Sequence, residues 1–86
     1  MVPVADHIDD LQDAASVSVL RIGYRARCTA KGCGNLARTV LRYADRGGRP
    51  LANLERCNSH ARAAIEHDTK ARLTVYDDRE SCPASP

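Results

Sequence analysis

Cys28-Thr29-Ala30-Lys31-Gly32-Cys33-Gly34 is the stretch that decides how this chain folds, together with Cys57-Asn58-Ser59-His60 further on. Read as one pattern they spell Cys-x4-Cys, a spacer over residues 34–56, then Cys-x2-His. Three thiolates and an imidazole are the donor set of a closed tetrahedral zinc site, with no position left open for water. Gly32 and Gly34 flank the second thiol, where they let the chain turn tightly and let backbone N–H groups point at sulfur. Buried free cysteines beside a surface histidine are the plainer reading, since cysteine also behaves as a small hydrophobe. Two local pairs, one in a glycine loop and one at a helix start, favour the metal. His67 lies two helical turns beyond His60 and reads as a solvated helix residue, and His7 as a surface one. Cys82 is left over, a free thiol or a substitute ligand should His60 not serve.

Around this site the chain is small. Eighty-six residues allow one domain at most. Its core must do without Trp and Phe, and the rings are Tyr24, Tyr43 and Tyr76. Chains of this size bury a smaller fraction of their surface than large domains do and usually need a staple. A structural zinc site contributes on the order of 10–16 kcal/mol near neutral pH. That matches or exceeds the roughly 5–15 kcal/mol of a typical domain's whole stability. No secretory signal or membrane-spanning run is visible. A cytoplasmic setting follows as an expectation, where paired cysteines more often hold metal than form disulfides.

The hydrophobic pattern extends the site into an α+β fold. Val4, Ile8, Leu11 and Ala15 trace one stripe of an amphipathic helix over residues 1–15. Asp6, Asp9, Asp10 and Asp13 there equally suit an acidic arm without structure. Residues 16–76 read as the zinc-binding domain. Ser16 to Arg27 predicts a strand with Leu20, Ile22, Tyr24 and Ala26 on one face and Val19, Arg21, Arg25 and Arg27 on the other, Gly23 marking a bulge or a close backbone approach. Asn35 to Asp45 predicts a second, with Ala37, Thr39, Leu41 and Tyr43 alternating with Arg38, Val40 and Arg42. Arg46-Gly47-Gly48-Arg49-Pro50 is a turn, and Leu51 to Arg56 returns as the other arm of a hairpin. Cys57 to about Arg72 predicts a helix with Ala61, Ala64, Ile65 and Ala71 inward. Leu73 to Tyr76 suits a short strand or docking segment, and residues 77–86 a disordered tail.

A ligand-bearing loop, a hairpin, then a helix whose first turn carries two more ligands: this order resembles the treble-clef zinc fingers. The resemblance covers about Arg25 to Arg72 and rests on Cys28, Cys33, Cys57 and His60. The x4 loop departs from the more usual x2, which loosens the knuckle while leaving both thiols within reach of one ion. The resemblance implies a zinc-stabilised α+β scaffold of a β-strand and β-hairpin followed by a helix. Its functions run from nucleic-acid binding to protein interaction and nuclease chemistry, so fold alone does not choose among them. The nuclease branch needs a histidine base at the hairpin, and no histidine lies between His7 and His60. With a closed site and no nucleophile motif, a non-enzymatic protein is expected.

Charge narrows the choice. Residues 1–20 carry four Asp and no Lys or Arg, a net −4. In residues 21–62, ten basic groups against two acidic ones give +8. In residues 63–86, three against five give −2. The basic middle predicts an anionic partner, DNA or RNA, met by Arg21, Arg25, Arg27, Arg38 and Arg42 on one sheet face, with Arg46 and Arg49 extending it. A solvated charged face is the plainer account of the same residues. The competing functional class is a protein-interaction module or small subunit, docking or self-associating through Val4, Ile8, Leu11 and Ala15, with zinc purely structural.

Overall fold

The computed structural model describes residues 13–80 and residue 83. Of the stripe Val4, Ile8, Leu11 and Ala15, the first three lie outside the described residues, as do His7 and Cys82, while Ala15 is not helical and leads into the sheet, its N–H donating to the Ala44 carbonyl at 2.8 Å. Four strands and one helix follow in the order β1 (Ser16–Arg21), β2 (Thr39–Ala44), β3 (Pro50–Arg56), α1 (Asn58–Lys70) and β4 (Thr74–Asp77). The strands make one sheet in the order β3-β2-β1-β4. β1 and β2 pair antiparallel, as do β2 and β3, while β4 lies parallel to β1. Because β3 and β4 sit on opposite edges, α1 must cross the sheet to join them. It covers one face and leaves the other open.

The register decides what lies under α1. Val17 sits between Tyr43 and Val75, and Val19 and Leu54 flank Leu41. Val17, Val19 and Leu41 are fully buried, with Tyr43 beside them. Ala64 and Ile65 from α1, and Leu73 and Val75 beyond it, pack on this cluster. On β2 the inward residues are the expected ones. On β1 they are not: the even-numbered Leu20 was expected inward, yet the odd-numbered Val17 and Val19 fill the core. Alternation defines two faces but does not say which one a helix will cover.

The expected single strand over Ser16–Arg27 also breaks. Regular pairing ends at Arg21. The Ile22 N–H donates to the Arg38 carbonyl at 3.0 Å and the Ala37 N–H to the Ala26 carbonyl at 2.9 Å, so the segment around Gly23–Arg25 bulges between them. From this bulge the Tyr24 hydroxyl donates to Glu55, the β3 partner of Val40. Val40, expected outward, is thereby covered on the open face and only 2% exposed.

The turns use local chemistry. Asp45 Oδ1 accepts from the Gly47 and Arg49 N–H groups, each at 2.9 Å, and Gly48 takes φ +82° between β2 and β3. At the end of α1 the Arg72 N–H donates to the Thr69 carbonyl at 3.1 Å and the Leu73 N–H to the Asp68 carbonyl at 3.0 Å. This is a Schellman motif with Arg72, at φ 68°, in the place usually held by glycine. It ends the helix two residues before the expected boundary and turns Leu73 into the core.

One polar pair is enclosed with the apolar residues. The Tyr43 hydroxyl donates to Asp68 Oδ2 at 2.6 Å, joining β2 to α1. Burial, and then the Asp68 carboxylate, push the Tyr43 phenol far above its ordinary range. Replacing Tyr43 by Phe leaves Asp68 without its donor and is expected to cost about 1–3 kcal/mol, read as a lower urea midpoint at unchanged slope. Arg72→Gly removes the left-handed strain and is expected to stabilise by up to about 1 kcal/mol. A fall in melting temperature for that variant would contradict the assignment.

Candidate metal centre and arginine cleft

The Cys28–Cys33 loop is a tight knuckle. Its two arms meet at an Arg27–Leu36 bridge, with the Cys28 N–H donating to the Asn35 carbonyl at 2.9 Å and the Cys33 N–H to the Ala30 carbonyl at 3.0 Å. Gly32 takes φ +79°, a conformation L side chains rarely adopt. Thr29 then stitches the knuckle to the end of β3: its N–H and its hydroxyl both donate to the Glu55 carbonyl, at 2.8 and 3.0 Å. The Arg56 guanidinium donates to the Thr29 hydroxyl. Two residues past Glu55 comes Cys57, the N-cap of α1, and His60 follows one turn on, on the same side of the helix.

The hairpin and helix thus deliver the second ligand pair to the first. Cys28 Sγ, Cys33 Sγ, Cys57 Sγ and a His60 ring nitrogen all lie within 4.8 Å of one another. His60 Nδ1 is 3.4 Å from Cys28 Sγ and 3.2 Å from Cys57 Sγ, and the Cys33 and Cys57 sulfurs are 3.9 Å apart. Zinc bond lengths in a regular tetrahedron require about 3.8 Å between sulfurs and about 3.5 Å from sulfur to nitrogen. The donors therefore fit one ion of that size, with His60 entering through Nδ1. Cys28 and Cys57 are buried, Cys33 is half-buried and His60 is exposed.

These four groups set one another's charge. The backbone N–H of His60 is the largest influence on Cys57 and, with the His60 ring and the other sulfurs, draws its thiol down to about 6. No hydrogen bond of full side-chain capping geometry accompanies this. Burial pushes Cys28 up, but the N–H groups of Cys57 and Ala30, with Cys33 and His60, reverse it and leave the thiol below its ordinary value. Cys33 goes the other way: the Asn35 N–H lowers it, and burial with the neighbouring sulfurs outweighs that. Cys57 and then Cys28 raise the His60 imidazole. A cation bound among these donors would offset the charge of sulfurs ionised so close together.

The seven candidate arginines do not form one face. In the β1–β2 register odd residues meet odd and even meet even, so Arg21 lies opposite Thr39 on the helix side and Arg42 opposite Ser18 on the open side. Arg46 and Arg49 stand at the hairpin tip, at the other end of the six-residue β2, roughly 20 Å from the metal centre's end. Arg27 is beside the knuckle, where its guanidinium donates to the Gly34 carbonyl at 3.4 Å. Arg21, Arg25 and Arg38 do come together. They line an open cleft of about 790 Å³ with Leu36, Asn58 of the first turn of α1, and Arg79. All three are exposed, and none pairs with a carboxylate among the described residues.

Arg79 was not foreseen, because it follows β4 in a stretch read as tail. The Asp78 N–H donates to the Val19 carbonyl at 2.8 Å and holds this stretch to β1. Arg79 donates twice to Asp77, from Nε at 2.8 Å and Nη2 at 2.6 Å, and each partner holds the other charged. The only signal in the sequence is the Asp-x-Arg spacing, which puts both side chains on one side of an extended chain. His67 is 82% exposed at its side chain and meets the neighbouring Asp68.

Comparisons with protein-family models, with curated proteins and with solved structures find no match for this chain. The assignment therefore rests on the geometry: a small α+β domain with a Cys3His cluster able to hold one metal ion. Among the described residues no helix is long and apolar enough to cross a membrane.

Proposed function

We propose that this chain is a non-enzymatic, zinc-stabilised nucleic-acid-binding protein of the cytoplasm, built on a treble-clef-like scaffold. The observation that carries the binding role is the cleft in which Arg21, Arg25 and Arg38 stand together without carboxylate partners among the described residues. Guanidinium groups suit phosphate oxygens, which they grip two bonds at a time. The cleft abuts Asn58, so the positive end of α1 adds to its field. The treble-clef reading is supported by the element order: knuckle, β2–β3 hairpin, then a helix with ligands in its first turn. The ion would be held by Cys28, Cys33, Cys57 and His60, where it cross-links knuckle and helix. With four protein donors in place there is no position for water, and so no hydrolytic role.

Two measurements test this. Native mass spectrometry should find one zinc per chain, lost in Cys57→Ser, and a strong chelator should abolish the circular dichroism of the fold. A metal-free chain with an unchanged spectrum is the contrary result. Fluorescence anisotropy with a labelled duplex should show affinity falling steeply with salt. Arg21→Ala plus Arg38→Ala should weaken binding and reduce the slope of log affinity against log salt by about 2. A double variant with unaltered affinity and slope would remove the cleft from the interface.

A further inference from the structure

The face of the sheet away from α1 carries a second set of groups that neither the metal nor the core uses. The pairing registers align one residue from each strand in a single row across it: Tyr76 of β4, Ser18 of β1, Arg42 of β2 and Asn53 of β3. With strands about 4.8 Å apart, the row is roughly 14 Å long. Tyr76, Arg42 and Asn53 are exposed and Ser18 is half-exposed. Tyr76 is 53% exposed, one of the two large hydrophobic residues that stand out from the described surface. Its hydroxyl takes no protein partner among the described residues.

We infer that this open face is a platform for single-stranded nucleic acid, with one base stacked on Tyr76 and the adjoining phosphate held by Arg42. The inference rests on the nucleic-acid reading of the cleft and adds to it the form of the ligand. An aromatic ring lying free on a sheet has a π-face to offer, and every unpaired base has one to match. In a duplex those base faces are already stacked on each other, so Tyr76 gains nothing there. Asn53 and Ser18 supply the donors and acceptors that read the edges of a splayed base.

The charges fit this occupant. Arg42 has no carboxylate partner among the described residues. Glu55 also lies on this face, where it accepts from the Tyr24 hydroxyl. Tyr24 and Arg25 also line the arginine cleft, so the open face runs directly into it and one strand can serve both. A second copy pairing along the β4 edge is a poorer fit. β4 has four residues and ends in Asp77 followed by Asp78, a short charged edge of the kind that resists strand addition.

The test uses the full chain with its metal. Affinities for a labelled single strand of about ten nucleotides and for the matching duplex are measured by anisotropy for wild type, Tyr76→Ala and Tyr76→Phe. Tyr76→Ala should weaken single-strand binding about tenfold and leave duplex binding unchanged, while Tyr76→Phe keeps both. Arg21→Ala plus Arg38→Ala should weaken both ligands, which separates the platform from the cleft. Circular dichroism confirms that each variant folds, as expected for an exposed edge residue. Equal single-strand affinity of Tyr76→Ala and wild type, or an equal loss for both ligands, overturns the platform while the cleft stands. Absence of binding to either ligand at low salt overturns both.

Discussion

Everything in this small domain hangs on bringing two cysteines of a knuckle against a cysteine and a histidine of one helical turn. The two pairs are separated by a whole hairpin, and three kinds of constraint close the gap. β2 and β3 return the chain in a set register, Thr29 fastens the knuckle to Glu55, and Cys57 follows two residues later. The resulting cluster concentrates sulfur and imidazole donors within 4.8 Å. Three thiolates this close would repel one another and would be strongly favoured around a cation. A metal held at this point would make knuckle, hairpin and helix one cooperative unit.

The rest of the core explains why a staple is useful. Four side chains, Leu41, Val17, Val19 and Val40, account for the largest fully buried volumes, and one of them faces away from the helix. The cluster beneath α1 is thin, and Tyr43 and Asp68 complete it with a hydrogen bond rather than with hydrocarbon. A phenol donating to a carboxylate in a buried setting specifies one helix position over the sheet, since sliding α1 would strand both groups. The metal cluster and this pair act at different points along α1, the first turn and the last, and together they orient it across the strands.

Charge is distributed by the same geometry. The basic middle of the chain looks continuous in sequence, yet pairing separates it into a cleft at the metal end, an open face and a hairpin tip. The cleft concentrates positive charge because the bulge after β1, the approach to β2 and the stretch after β4 all end beside the first turn of α1. Arg79 enters that group already paired, which leaves Arg21, Arg25 and Arg38 as its charges without a carboxylate partner among the described residues.

The sequence by itself determined the ligand set, the element order and the inner face of β2. Those features are local: a spacing of two or four residues, a Gly-Gly turn, alternation beside a helical repeat. Gly23 marked a bulge or close approach in that segment, but the sequence did not reveal that regular pairing ends at Arg21, because Tyr24 in the bulge bonds to Glu55, distant in sequence. Nor did it show Arg72 closing the helix, where a non-glycine residue accepts a left-handed backbone so that Leu73 can reach the core. Which arginines stand together was decided by tertiary structure alone. A residue's face depends on its own alternation, but its neighbours depend on the partner strand's register and on which face α1 covers. Those choices are made by long-range packing of Val17, Val19, Leu41 and Tyr43 against the helix, not by any local run of residues.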